Sequence, residues 1–224
     1  MTSAPAWLRG LAGRDDVGGH PWFAAHPAPV GARRRSAVLV LFGPGPDGEP
    51  DVLLTERSHT MRSHPGQVSF PGGAIDPGDD GPVGAALREA EEEVGLEPSG
   101  VDVLTVLPSL YLAPSGNAVT PVLGWWPAPV PVRVVDTREV ARVVRVPLDH
   151  LLDPARRFTA AFGPYRGPGF EVADLFVWGF TATLLDAVLD LAGVSRPWDR
   201  DVVRDLPDSV RSPWMRMIDE GEGA

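Results

Sequence analysis

An α/β fold, with strands layered between helices on both faces, is predicted by three features of this 224-residue chain. Apolar, β-branched runs bounded by proline and glycine recur along it. An amphipathic segment over 81–95 backs an apolar face with carboxylates, and a second apolar helical pattern covers 178–191. The hydrophobic content of 43% is ample for a real core, and the length suits one domain with terminal additions.

Residues 1–31, rich in Pro, Gly and Ala, read as an N-terminal arm, partly helical, with Trp7, Leu8, Trp22 and Phe23 available as anchors. The domain proper covers 32–193 and opens on Arg33-Arg34-Arg35. A basic triplet before a strand reads as a solvated edge or fold boundary, with substrate contact as the other option. Runs at 36–42 and 52–55, parted by a Pro/Gly turn, read as core strands, and 101–107, 119–126 and 143–146 add three more. Between the first two of these later strands, 108–116 is a loop with its own turn residues. A short helical turn at 148–152 and a long helix at 178–191, stopped by Gly193, complete the pattern. Residues 194–224 form an extension that packs on the domain or trails from it.

The helix at 81–95 carries the chemistry. Gly81-Pro82 marks its start and Gly95 its stop, while Val83, Leu87, Ala90 and Val94 give it one apolar face, with Ala86 beside them. Glu89, Glu92 and Glu93 fall at i, i+3 and i+4 on the opposite face. Like charges at that spacing cost about 0.2–0.5 kcal/mol per pair. On the carboxylates alone, a solvated acidic stripe and a site for a hard divalent cation are equal readings. Mg²⁺ and Mn²⁺ prefer oxygen ligands, and the chain has no thiolate to offer a softer metal. The apolar reverse face and the Gly72-Gly73 turn ahead of the helix favour the cation site.

Composition removes other classes. The formal charge of 20 − 30 = −10 argues against a nucleic-acid or membrane-surface binder, though a small anionic substrate fits if basic residues gather locally. Without cysteine there are no disulfides, thiolate zinc sites or cysteine nucleophiles. No secretory pattern opens the chain and no apolar run approaches the roughly 20 residues of a membrane span. A cytoplasmic location is the simplest expectation; oligomeric state is open, a homodimer included.

Residues 73–96 resemble the signature of the Nudix hydrolases. Arg88-Glu89-Ala90, Glu92-Glu93 and Gly95-Leu96 match its R-E-U-x-E-E-x-G-U half, with U aliphatic, position by position. The other half is one residue longer than usual and has aspartate where a glutamate is expected. Asp79 fits counting forward from Gly73, and Asp80 fits counting back from Arg88. The upstream segment is similar to the extra signature of the coenzyme A pyrophosphatase subgroup. Leu53-Leu54-Thr55, Arg57, Ser58, Arg62, Gly66 and Phe70-Pro71-Gly72-Gly73 fill each of its fixed positions. Weaker similarity extends over about 33–191.

The resemblance implies an α/β/α sandwich with a mixed central sheet and a Mg²⁺- or Mn²⁺-dependent pyrophosphohydrolase. The substrate implied is coenzyme A or a thioester, split into 3′,5′-ADP and 4′-phosphopantetheine or its acyl form. It implies Glu89, Glu92, Glu93 and the Gly73 carbonyl as metal ligands. Arg88 is expected to pair with a neighbouring carboxylate and hold it in place, a plain surface ion pair being the alternative. Arg57, Arg62, Ser58 and Gly72 are the expected substrate contacts, the two arginines offering forks suited to phosphate oxygens. His59 and His64 are either phosphate donors or incidental loop histidines. Glu139 is a water-activating carboxylate from outside the box or a solvated loop residue, and Glu92 is the competing base. Rival substrates are ADP-ribose, dinucleotides or damaged nucleotides. A non-catalytic nucleotide sensor is the alternative from another class.

Overall fold

Strict alternation along one strand divides the molecule. In β1 (Arg34–Pro44), Ala37, Leu39 and Leu41 face one core, while Val40 and Phe42 face another. The computed structural model describes residues 2–61, 64–113, 115–208 and 210–211. In chain order the helices are α1 (Ala6–Ala12), α2 (Pro21–Ala25), α3 (Gly81–Val94), α4 (Leu148–Leu152) and α5 (Gly179–Leu191). After β1 come β2 (Pro50–Arg57), β3 (Val68–Ser69), β4 (Gly72–Ala74), β5 (Asp102–Val106), β6 (Leu110–Leu112) and β7 (Asn117–Trp125). The remaining strands are β8 (Val140–Pro147), β9 (Arg157–Phe162), β10 (Tyr165–Val172), β11 (Leu175–Val177) and β12 (Val203–Asp205).

The main sheet is mixed and eight-stranded. β7 runs parallel to β1 from Arg34↔Asn117 to Phe42↔Trp125. The other side of β1 is shared, with β2 paired near its end and β4 near its beginning, where Ala37 faces Gly73 and Val38 faces Gly72. β3 and β8 pair with β2, and β5 and β6 with β7. On one face α3 seals Leu39 and Leu41 with Ala85, Ala86, Ala90 and Val94. On the other, Val40 and Phe42 join Leu8 and Leu11 of α1, Phe23 of α2 and Leu184 and Leu185 of α5. The sheet therefore lies between two helical layers, the expected α/β/α arrangement. Burying one such aliphatic side chain is worth about 1.5–3 kcal/mol.

All five strands and three helices expected from sequence are present, with β1, β2 and β8 running past the expected bounds at both ends and β5 falling short of them. Helix α3 stops where Gly95 takes a left-handed φ of 69° and donates its N–H to the Glu91 carbonyl at 2.9 Å. In the N-terminal segment, Trp7 meets Phe42 edge-on at 5.3 Å and Trp22 lies 5.8 Å from Phe180. Beyond α5, β12 pairs in parallel with β9, and Leu206 and Val210 pack on Phe158.

A second sheet, ordered β11-β10-β9-β12, occupies a stretch that sequence reading left without elements. Its central strand contains Gly167-Pro168-Gly169, which reads as a loop. The glycines are needed, because a Cβ at Gly169 would run into the Phe158 ring and one at Gly167 into the Tyr165 ring. Among the described residues, no helix is long and apolar enough to cross a membrane.

Candidate active site

The site is built around β4. Gly72 has φ +151° with the Ala37 carbonyl and Val38 Cα lying where a side chain would start, so only glycine fits. A Cβ at Gly73 would instead overlap the Glu89 carboxylate. The backbone of the turn and the acidic face of α3 are thus in direct contact.

Glu93 is 4% exposed and accepts the Gly72 N–H at 3.1 Å. Burial pushes its carboxyl up to about 7; the Gly72 N–H and Arg57 pull it down, while Glu89 and Glu139 add to the rise. Glu89 is also raised, first by burial, with Arg88 opposing and Glu92 and Glu139 reinforcing. Glu92 is more open, its side chain 59% exposed and 3.3 Å from Arg88. Glu139 reaches the group from the loop before β8. Its carbonyl accepts the Ser58 N–H at 2.8 Å, and its carboxylate has no hydrogen bond or ion pair among the described residues.

Arg88 is a clamp. Its Nε and Nη2 donate to the two Asp79 oxygens at 2.8 and 3.0 Å, Nη2 also to the Ala74 carbonyl at 3.0 Å, and Nη1 to Glu89 at 3.1 Å and Glu92 at 3.3 Å. These partners, Asp79 first, hold its guanidinium above the ordinary value, and Arg88 in turn holds Asp79 below. Of the two aspartates left open by sequence, Asp79 is the one joined to the helix; Asp80 sits at the N-cap with no side-chain cap bond.

Across the turn lies a cavity of 660 Å³, whose lining includes Gly72, Gly73, Arg57, His64 and all of Arg33-Arg34-Arg35. The guanidinium Nε of Arg57 is buried with no hydrogen-bond partner. His64 lies below its ordinary value through burial and the Arg57 charge, and its Nδ1 pairs with the Gln67 carbonyl oxygen at 3.1 Å. His59 is exposed, 3.4 Å from Glu56. Ser58 does not line this cavity: it is 6% exposed and its hydroxyl pairs with Thr60 at 2.8 Å. Arg62 lies outside the described residues. The arginine triplet, open in sequence between a solvated edge and a substrate contact, is exposed and lines the cavity, a place set by the pairing of β1 with β4 and β7.

A hard cation is consistent with this chemistry. Among the described residues no three acidic or histidine side chains are already gathered into a closed ligand set. Yet the buried Glu93 and the half-buried Glu89, both pushed up, meet at a glycine backbone, and the nearest guanidinium is held chiefly by Asp79. The carboxylates of Glu89, Glu92 and Glu93 and the Gly73 carbonyl are the oxygen donors available to such an ion.

A model of the NUDIX domain matches residues 32–164. The chain belongs to the Nudix family. An uncharacterized Nudix hydrolase, NudL, of Escherichia coli (strain K12 / DH10B) is 41% identical over 157 residues, covering 68% of this chain and 79% of that protein. NudL of Shigella flexneri is 40% identical over 167 residues, 72% of this chain and 84% of its own. Among solved structures, the M. smegmatis Nudix hydrolase RenU superposes with a TM-score of 0.53 at 24% identity, over 75% of this chain and 91% of that one, which supports the fold. As a Nudix hydrolase the protein acts on pyrophosphate bonds, with the divalent metal ions that the family generally uses.

Proposed function

We propose that this Nudix hydrolase cleaves the pyrophosphate bond of coenzyme A or its thioesters, with Mg²⁺ or Mn²⁺, to 3′,5′-ADP and 4′-phosphopantetheine or its acyl form. One observation carries the reading beyond the family. In a chain of formal charge −10, the cavity beside Gly72-Gly73 is lined by four arginines, and no aspartate or glutamate is among its described lining residues. Such a cavity suits a substrate with more negative charge than a pyrophosphate alone, and coenzyme A carries a third phosphate. The filled signature from Leu53 to Gly73 supports the same assignment. The cysteine-free composition agrees with a cytoplasmic setting.

In this reading Glu89, Glu92, Glu93 and the Gly73 carbonyl hold the ion. The ion, when bound, neutralises the phosphate oxygens and lowers the pKa of the attacking water. Arg88 fixes Glu89 and Glu92 while Asp79 fixes Arg88, so the ligands are oriented before substrate arrives. Arg57, which lines the cavity, turns its guanidinium toward a pyrophosphate oxygen, and Gly72 and Gly73 let that group approach the backbone. Glu139, whose carboxylate is unengaged, takes the proton from water, a role worth about 10²–10⁴-fold in rate. Glu92, already on Arg88, is the alternative base, distinguished by comparing Glu139→Gln with Glu92→Gln.

The test is a substrate panel with Mn²⁺, scored by kcat/KM. Coenzyme A species should lead and release 3′,5′-ADP. A lead for ADP-ribose or a dinucleotide would move the assignment to the rival pyrophosphatases. Ligand binding with no turnover on any compound would indicate a sensor.

A further inference from the structure

The described arginines fall into those paired to carboxylates, those that line one cavity, and a remainder, Arg9, Arg133, Arg166 and Arg200, that do neither. Most of those described are matched to carboxylates, as in Arg14–Asp16, Arg88–Asp79, Arg138–Asp136 and Arg145–Asp51. Arg33, Arg34, Arg35 and Arg57 have no carboxylate within ion-pair distance among the described residues, and all four line one cavity. Arg33, Arg34 and Arg35 are exposed, so water screens their repulsion; what distinguishes them is the cavity that they share with Arg57.

The four are not equivalent. Arg57 ends β2, which pairs with β3 just ahead of Gly72-Gly73, so it belongs to the pyrophosphate end. The triplet lies at the other end of β1's run beside β4. Alternation puts Ala37, Leu39 and Leu41 against α3, so Arg35 shares their face, while Arg34 shares the face of Ser36 and Val38, both of which line the cavity. Arg34 is also directly opposite Asn117, another lining residue, whose amide donates to the Ser36 hydroxyl at 2.9 Å. Ala37 pairs with Gly73, so Arg34 is three residues, or about 10 Å, along the strand from the turn. A long side chain spans the remaining gap to a phosphate attached to the same nucleoside as the pyrophosphate.

We propose that Arg34, with Asn117 beside it, binds the ribose 3′-phosphate of the substrate and so sets the preference for nucleotides that carry this second phosphate group. The assignment rests on the coenzyme A reading above and adds the residue that enforces it. A guanidinium fork matches a phosphomonoester dianion in charge and geometry, and a hydrogen bond to a charged group is worth about tenfold or more in affinity. Arg57 serves the pyrophosphate, common to all candidate substrates, and carries no such discrimination.

The experiment measures kcat/KM of the full chain for coenzyme A and 3′-dephospho-coenzyme A, in the native protein, Arg34→Gln and Arg57→Gln. In parallel, the binding of 3′,5′-ADP and 5′-AMP is measured by calorimetry. The native protein should favour coenzyme A at least tenfold. Arg34→Gln should reduce that ratio about tenfold and abolish the advantage of 3′,5′-ADP over 5′-AMP. Arg57→Gln should lower both rates and keep the ratio, and Arg34→Lys should restore part of it. If coenzyme A is hydrolysed but the ratio survives Arg34→Gln, or if both substrates lose equally, the role of Arg34 is refuted while the coenzyme A reading stands. If coenzyme A is not hydrolysed, that reading fails, and the calorimetric comparison alone decides whether Arg34 binds the 3′-phosphate.

Discussion

On the α3 side of the Gly72-Gly73 turn, Glu93 is buried and Glu89 half-buried, and both are pushed toward the neutral form. On the cavity side, four arginines line a space that has no aspartate or glutamate among its described lining residues. The acidic side carries a cation of its own, Arg88 on Glu89 and Glu92, whereas the cavity arginines, three of them exposed, meet no carboxylate among the described residues. The difference is what the proposed function uses, assigning a cation to the α3 side and a polyanion to the cavity side. Elsewhere most of the described arginines are paired to carboxylates, as in Arg138–Asp136 and Arg145–Asp51.

The comparison is broken most severely at Glu93. Glu93→Gln should lower kcat with Mn²⁺ by about 10³-fold, of the order seen when a key electrostatic group is removed. In chelator, the same variant should match or exceed the native Tm, because a buried charge beside Glu89 has been removed. Initial rates and calorimetry check both halves, and a large loss of Tm in chelator would mean that Glu93 is structural. The two glycines should separate next. Gly72→Ala places Cβ on the β1 backbone at φ +151° and should cost about 2–4 kcal/mol of stability. Gly73→Ala meets only the Glu89 side chain and should cost less stability but more activity. Denaturant melts alongside kcat separate the pair. On the cavity side, Arg57→Gln should reduce kcat/KM about 10–100-fold through loss of a charged hydrogen bond.

The smallest effect concerns the loop that carries Glu139. Arg138 holds Asp136 at about 2, well below the usual carboxylate value. The contribution of this pair is present above the ordinary carboxyl pKa near 3.8 and lost as pH falls through about 2. An NMR titration should find Asp136 near 2 and, in Arg138→Ala, shifted upward, with only a slight change in kcat at neutral pH.

How legible each region was follows from how local its determinants are. Helix α3 was readable because its apolar period, its carboxylate spacing and its Gly95 stop lie within fifteen residues. The arm's aromatic anchors were readable as residue types, but their seats on Phe42 and Phe180 were not. The arginine triplet carries no period, and only the pairing of β1 with β4 and β7 puts it beside the turn. Ser58 shows the converse: the motif named it for substrate, and the fold buries its hydroxyl against Thr60. The second sheet escaped notice because its middle strand uses glycines where the Phe158 and Tyr165 rings leave no room for a side chain.

The central claim is that the acidic helix and the basic cavity act on one substrate that bridges them. Mass analysis of products from coenzyme A, incubated with Mn²⁺ in ¹⁸O-labelled water, tests it most directly. The expected products are 3′,5′-ADP and 4′-phosphopantetheine, with one ¹⁸O in one of them and no turnover in chelator or in Glu93→Gln. Intact coenzyme A under these conditions, or equal cleavage by Glu93→Gln, would contradict the account.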